Sequence, residues 1–398
     1  MPDRRHFLAG TAALAGGILA APAFAETIVP GVFANGDRPL VAFPQKRPLM
    51  MLSPRPPLLE TPFSIFDEGV FTPNDAFFVR WHLSGIPTTI DEKSFRIHVN
   101  GRVQKTLALS VADLRKMPVH EVAAVNQCSG NSRGFFEPRV PGGEWQNGAM
   151  GNALWKGVRL KEILRRAGLE ADAKQVQFNG LEVPAIATTP DFRKSLEVDV
   201  ASGDDVIVAY EMNGKPLPLL NGFPVRLVVP GYFSTYWVKM LTDITVLNHV
   251  DEQFWMKTAY RIPDTPGGNV APTDTGFKTI PINHLKIRSF VTNLANGAKL
   301  KGGMQPLRGI AFNAGSGIKT VEYSTDGGTT WNAAALERDY GKYSFRRWNA
   351  STMLDAGKPY TLACRAVGND GEMQTTTPIW NPGGYMRNVV ETYKVVTA

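Results

Sequence analysis

The sequence predicts two folds in series: an α+β domain built on mixed sheets, then an all-β immunoglobulin-like sandwich. Between residues 63 and 281, short strand-like runs outnumber helix candidates, without the regular βαβ alternation that a parallel sheet requires. From Ile282 onward the segments alternate apolar and polar residues and are separated by Gly- or Asp-containing turns. That texture persists for roughly 110 residues, the size of an immunoglobulin-like sandwich.

Residues 1–25 read as an export signal. Asp3-Arg4-Arg5-His6-Phe7-Leu8 leads into an Ala/Leu/Gly stretch, and Ala23-Phe24-Ala25 offers an A-x-A cleavage site. The apolar part is too short and too Gly-rich to span a bilayer well. The paired arginines before Phe7 and Leu8 resemble the twin-arginine type, with an ordinary secretory signal as the alternative. The expectation is a mature chain starting at Glu26, exported folded to a bacterial periplasm. Residues 26–62 carry Pro44, Pro48, Pro54, Pro56 and Pro57. Proline fixes its own backbone and lacks a donor, so this arm should lie extended over a surface.

Between residues 63 and 281 the strand-like runs include 95–99, 206–210 and 225–229. Ser110 can cap a helix over residues 111–117, with Asp113 completing a capping box. Leu160, Ile163, Leu164 and Ala167 recur at helical spacing, and Gly168 stands where a C-terminal cap belongs. Asn213-Gly214 is a hairpin turn. In the last segment, 282–398, residues 320–324 alternate into Asp326-Gly327-Gly328, with residues 329–331 expected on the return strand. Residues 360–366 also alternate, which puts Cys364 on one face with Leu362 and Ala366 as an inert core thiol.

Composition fits a folded chain long enough for two domains: 398 residues, 43% hydrophobic and 20% charged. No segment after the signal approaches a membrane span. The formal charge of +7 becomes +6 once Asp3, Arg4 and Arg5 leave with the signal, 41 basic minus 35 acidic residues. The basic residues are scattered, which argues against nucleic-acid binding, whereas a small anion suits the charge. There is no C-x-x-C-H run, two cysteines are too few for a four-thiolate iron–sulfur cluster, and no Gly-rich dinucleotide fingerprint follows a strand. Haem, flavin and NAD are therefore not expected in this chain.

The most informative residue is Cys128, in Asn126-Gln127-Cys128-Ser129-Gly130-Asn131-Ser132-Arg133. It stands where an apolar run gives way to a polar loop, with a cation five residues on, a setting in which thiolates attack or ligate soft metals. A buried packing thiol is the competing reading. In Phe77-Phe78-Val79-Arg80-Trp81-His82, period two puts Phe78, Arg80 and His82 on one face, for which, taken alone, a solvent-facing edge strand is the simpler explanation. Gly142-Gly143-Glu144-Trp145 is either a plain turn or a place where backbone approaches a ligand beside an aromatic wall. Arg226 and Lys239 lie in or beside apolar runs, where a cation needs an anionic partner.

Taken together, F-F-V-R-W-H, N-Q-C-S-G-N-S-R, A-Y-E-M-N-G-K-P-L-P, G-F-P-V-R-L-V-V-P-G and D-G-G-T-T-W resemble the sulfite oxidase family of molybdenum enzymes, over most of the chain from Phe63. The likeness is greatest to bacterial sulfite dehydrogenases and sulfane dehydrogenase catalytic subunits. It implies a molybdopterin domain followed by an immunoglobulin-like dimerisation domain, hence a homodimer, with one molybdenum–pterin group per chain. It implies Cys128 as the one protein ligand to molybdenum, and Arg80 and Arg133 on the substrate oxyanion. Trp145 and Tyr260 are implied in the pocket, and Phe78, His82, Asn221, Arg226 and Lys239 around the pterin and its phosphate. The implied activity is sulfite oxidation to sulfate with electrons passed singly to a separate c-type cytochrome. The alternative is a sulfane dehydrogenase subunit acting on carrier-bound sulfur. The chain departs from animal and plant relatives at Asn221, where they have histidine, and at Glu182, where they have aspartate. Their arginine after a late Ile-Trp-Asn gives way to Pro382-Gly383-Gly384-Tyr385-Met386-Arg387.

Overall fold

The computed structural model describes residues 27–29 and 38–398. The expected signal, Glu26 and residues 30–37 of the arm lie outside the described residues. The rest of the arm is mostly sheet. Arg38–Val41, Leu49–Pro54 and Pro57–Glu60 pair antiparallel in succession, and Pro57–Glu60 pairs with Val79–Arg80, placing Leu58 opposite Arg80. Pro54 and Pro57 face each other at the strand ends, where a missing donor costs least. The arm thus forms the floor under one of the expected site residues.

Two further five-stranded groupings build the first domain. One runs Arg193–Glu197, Gln175–Gly180, Leu241–Leu247, Ile97–Gly101, Leu107–Leu109, and its Leu241–Leu247/Ile97–Gly101 pair is parallel while the others are antiparallel. The other runs Lys215–Pro216, Ile207–Met212, Met150–Arg159, Val119–Gln127, with Arg226–Val228 also on Ile207–Met212. The first is a mixed sheet of the kind the sequence predicts, whereas every pair of the second is antiparallel. Asn213 and Gly214 have φ of 53° and 72°, the left-handed pair that a tight hairpin turn demands.

The helices are few and short. Val111–Arg115 starts at a complete capping box: Ser110 Oγ accepts from the Asp113 amide at 3.1 Å, and the Ser110 amide donates back to the Asp113 carboxylate at 3.1 Å. Leu160–Ala167 buries Leu160, Ile163, Leu164 and Ala167 and ends at Gly168 with φ 72°. No described helix is long and apolar enough to cross a membrane.

The C-terminal region is a two-sheet sandwich. One sheet is Arg288–Val291, Gly303–Phe312, Arg346–Leu354, Ala335–Leu336; the other is Lys299–Leu300, Glu391–Thr397, Pro359–Gly368, Ile318–Ser324, Asn332–Ala333. Ile287, Val291, Leu307, Trp348, Leu362 and Val395 fill the space between them. Cys364 is fully buried there, and burial pushes its thiol up to about 12. The return strand begins later than the sequence predicts. Asp326 accepts from the Thr330 amide and hydroxyl at 2.9 and 2.7 Å, which holds residues 329–331 in the turn and leaves only Asn332–Ala333 to pair.

The two domains share core. Phe290 and Phe312 pack with the first domain, while Ile287 and Val291 pack within the sandwich. Phe63 meets Phe290 edge-on at 5.3 Å, and Phe66 meets Phe345 at 5.9 Å. This seam runs close to the Cys128 loop, because Arg288 crosses it to donate to Ser132 Oγ at 2.9 Å.

Candidate active site

A cavity of about 410 Å3, its open mouth included, gathers residues that are distant in sequence. Residues around the Val79–Arg80 strand contribute Phe78, Arg80 and His82, and the end of Val119–Gln127 contributes Asn126, Cys128 and Ser129. The segment 220–239 adds Leu220, Asn221, Arg226, Ser234, Thr235 and Lys239, and Tyr260 completes the wall.

Local structure explains these placements. The strand Val119–Gln127 ends one residue before Cys128, whose amide donates to the Ala149 carbonyl at 2.9 Å and whose carbonyl accepts from Asn131 at 3.0 Å. The thiol is therefore fixed at a strand end and faces the cavity. Only Val79 and Arg80 are strand, so His82 reaches the cavity through Glu182 rather than through the alternation expected from sequence. The Glu182 carboxylate accepts the amides of both His82 and Leu83 at 2.9 Å. His82 stacks on Phe192 with centroids 3.4 Å apart, and its Nε2 lies 2.7 Å from the Tyr260 hydroxyl. Burial, with Arg80 and Lys239 nearby, holds His82 well below the ordinary histidine range, so its ring is neutral. Tyr260 has φ 58°, a left-handed backbone rarely tolerated by a bulky residue, and its carbonyl is held by the Ile282 amide at 2.9 Å. Such strain persists where the surroundings over-determine it and gathers at working sites. Burial raises the Tyr260 phenol well above its ordinary value.

The electrostatics point to an anionic occupant. Arg226 is 3% exposed, donates to the carbonyls of Asn221 and Trp237 at 3.0 Å each, and keeps Nε unpartnered. Burial lowers Arg226 to about 9 and Lys239 to about 7, the latter offset in part by Glu182. Arg80 Nη1, Asn126 Nδ2, Ser129 Oγ and Thr235 Oγ1 are also buried without a partner. Buried polar atoms are normally satisfied and buried cations paired, so this concentration on one cavity marks ligand contacts. A molybdenum–pterin group fits the set. Thiolate suits a soft metal, and Arg226, Lys239 and Thr235 suit a polar ligand ending in phosphate. Among the described residues no cluster of three or more His, Cys, Asp or Glu side chains is arranged to hold a metal.

Of the residues singled out from sequence, Phe78, Arg80, His82, Cys128, Asn221, Arg226, Lys239 and Tyr260 come together here. Asn221 lines the cavity but its amide serves the protein. Its Nδ2 donates to the Phe78 carbonyl at 3.0 Å and its Oδ1 accepts from Lys46, which also donates to the Asn74 and Phe77 carbonyls. Trp145 is 1% exposed and lies behind Gly143, outside the lining. The Gly142-Gly143 pair makes room for Arg133 rather than for a ligand: a Cβ on Gly142 would come within 2.8 Å of that guanidinium. Arg133, expected beside Arg80 on the oxyanion, lies just outside the cavity lining, with its guanidinium packed over Gly130 of the Cys128 loop and 5.1 Å from the Tyr385 ring centroid. Its Nε donates to the Gly383 carbonyl at 3.0 Å and its Nη1 to that of Gly143 at 3.3 Å, which anchors one edge of the guanidinium. Arg387, the one cation in the run that replaces the relatives' late arginine, pairs with Glu391 at 2.5 Å and lies over Phe135, outside the cavity lining.

Sequence reasoning passed over Ser129, Thr235, Lys46 and Tyr385. Ser234 and Thr235 sit on a short turn, Ser234–Tyr236, between two apolar runs, a polar interruption that could have been flagged. Lys46 carried no local signal, since its partner Asn221 is 175 residues away.

Comparison with known proteins gives a consistent picture. The oxidoreductase molybdopterin binding domain family matches residues 83–255, and the Mo-co oxidoreductase dimerisation domain family matches residues 279–397. Mouse mitochondrial sulfite oxidase is 34% identical over 383 residues, covering 91% of this chain and 68% of that protein. Chicken sulfite oxidase is 33% identical over 372 residues, covering 88% and 79%. The chain thus spans about two thirds of the length of the mouse relative. Among solved structures, the sulfane dehydrogenase SoxCD from Paracoccus pantotrophus superposes with a TM-score of 0.74 at 25% identity, covering 86% of this chain and 85% of that one. The chain belongs to the sulfite oxidase family of molybdopterin oxidoreductases.

Proposed function

We propose that this chain oxidises sulfite to sulfate with one molybdenum–pterin group per chain, and hands the electrons singly to a separate c-type cytochrome in the periplasm. The observation that carries this reading is Arg80, whose buried, unpartnered Nη1 opens on the same cavity as the Cys128 thiol. Cys128 would ligate the metal, and Arg226, Lys239 and Thr235 would hold the pterin and its phosphate. When bound, that group supplies the two-electron redox chemistry. The protein's part is to bind, orient and manage protons. Arg80 binds the substrate anion and offsets its charge. Neutral His82 lies with Nε2 2.7 Å from the Tyr260 hydroxyl, while its buried Nδ1 has no hydrogen-bond partner. Tyr260 can then hold or pass a proton at the cavity wall.

The direct test is metal and pterin analysis of the purified protein, followed by sulfite-dependent reduction of a periplasmic cytochrome across ionic strengths. The expected result is about one molybdenum and one pterin per chain, with cytochrome reduction slowing as salt screens the encounter. Rapid oxygen reduction with no cytochrome turned over at any salt would make the chain an oxidase. Arg80→Gln is expected to raise KM for sulfite about ten- to a hundredfold, the worth of one charge-assisted contact. An unchanged kcat/KM would return Arg80 to a structural role.

The C-terminal sandwich, which matches a dimerisation family, is proposed to pair two chains. Sedimentation should give twice the mature chain mass, and a clean monomer at micromolar concentration would count against it. Likeness to SoxCD favours a second reading, oxidation of a carrier-bound sulfur group. Turnover of free sulfite without any carrier protein separates the two.

A further inference from the structure

The tip of the proline-rich arm clasps two walls of the cavity. Between the strands Arg38–Val41 and Leu49–Pro54 the arm turns back, with the Lys46 amide donating to the Phe43 carbonyl at 2.9 Å. Gln45 has φ 63°, a left-handed backbone uncommon outside glycine, and its Oε1 accepts the Leu219 amide at 2.8 Å. Lys46 is 7% exposed and reaches inward. Its Nζ donates to the carbonyls of Asn74 and Phe77 at 2.7 and 3.0 Å and to Oδ1 of Asn221. Arg47 secures the other side, its amide on the Asp75 carbonyl at 3.1 Å and its Nη2 2.9 Å from the Asp75 carboxylate. Three consecutive residues thus grip the run 74–78 and the short turn Leu219–Asn221. Both segments reach the cavity, through Phe78 on one and Leu220 and Asn221 on the other.

We propose that Lys46 is a positioning residue that locks the Phe78 and Asn221 walls together, so that the arm, which lines none of the cavity, sets how firmly the cofactor is kept. The proposal rests on the molybdenum–pterin reading above. Asn221 is the link. Its Nδ2 donates to the Phe78 carbonyl at 3.0 Å while Lys46 holds its Oδ1, so one amide joins the two walls and cannot flip without losing both bonds. Three neutral acceptors converge on one buried point, and lysine meets them with three donors from a single atom and no acceptor of its own. Burial pulls that amine down to about 7, against which Asp75 acts. A buried amine held only by neutral partners is costly, and packing alone is served better by an apolar side chain of the same length.

The test is the rate at which pterin leaves the purified holoenzyme well below its unfolding temperature, followed by the fluorescence of the released, oxidised pterin. Outer-shell partners at metal sites are worth about 10- to 100-fold, so Lys46→Met should release pterin about tenfold faster. Because Lys46 acts through the Asn221 amide, the same substitution should add less than about threefold in an Asn221→Leu background. Lys46→Gln keeps two donors on a shorter, uncharged group and should fall between wild type and Lys46→Met, and it carries the test if the methionine variant does not fold. Hydrogen exchange supplies a readout that needs no cofactor. The amides of Leu219 and Asn221 should exchange about tenfold faster in Lys46→Met or Lys46→Gln, while the strand Gly303–Phe312 of the sandwich stays as in wild type. Pterin release within twofold of wild type, full additivity with Asn221→Leu, or faster exchange throughout the chain would overturn the inference. Wild-type protein purified without pterin would instead overturn the functional reading, and the exchange result then judges the clasp by itself.

Discussion

Cys128→Ser should yield a folded protein that has lost more than a hundredfold of its sulfite turnover. The side chain is 5% exposed and lies in a loop fixed by backbone bonds to Ala149 and Asn131, so serine, close in size and needing no backbone change, fits without repacking. The loss is chemical. A neutral hydroxyl is a poor ligand where a soft thiolate is wanted, and even second-shell partners of a metal ligand are worth about 10- to 100-fold. The measurement is steady-state turnover beside metal and pterin content and the thermal midpoint. Full turnover by the variant would sink the assignment of Cys128, whereas unfolding would show that the thiol serves packing. Cys364→Ser gives the contrast. That thiol lies in the sandwich core, 3.5 Å from Ser289 Oγ and remote from the cavity, so its effect belongs to stability.

Much of the fold was legible because it is encoded locally. Ser110 and Asp113 cap a helix through three residues of separation, Leu160 to Ala167 share a face through helical periodicity, and Asn213-Gly214 turns a hairpin by left-handed backbone. The site was legible where a residue's own neighbours betray it, as at Cys128 or at Arg226 within an apolar run. It was not legible where function depends on a partner far along the chain. The anchor of Arg133 has no local signal: its Nε donates to the carbonyl of Gly383, 250 residues on. Glu182 looked like a departure from the family pattern. Its longer carboxylate instead organises the amides of His82 and Leu83, a hundred residues away. Tyr385 follows Gly383-Gly384 with no local signal of a role, and only the fold brings its ring against Tyr260. The displaced start of the strand at Asn332 has a different cause: Asp326 outcompetes the strand ladder for the Thr330 amide, a side-chain preference that alternation alone does not register.

Glu391→Leu should lower global stability by about 3–5 kcal/mol, the cost of leaving a buried charge without its counterion. Glu391 stands between two guanidiniums, Arg288 at 2.7 Å and Arg387 at 2.5 Å, and Arg288 is 1% exposed. Burial already holds Arg288 down to about 10 with Glu391 present, so removing the carboxylate strands a cation that has little else to offset it. The consequences reach the site, because Arg288 also donates to Ser132 Oγ, four residues after Cys128, in a loop where Ser132 holds a left-handed φ of 70°. The damage should therefore appear twice. The denaturant midpoint should fall with an unchanged slope, as expected for a loss of stability without a change in the surface exposed on unfolding. Cofactor content should fall as well, since the Cys128 loop loses its brace on the C-terminal domain. A paired replacement, Arg288→Met with Glu391→Leu, removes the more buried of the two stranded cations and should recover part of the stability, while Arg387 keeps the rest of the cost and Ser132 is left unbraced. If Glu391→Leu lowers the unfolding free energy by less than about 1 kcal/mol, Arg288 finds solvent or another partner, and the seam between the two domains is looser than its geometry indicates.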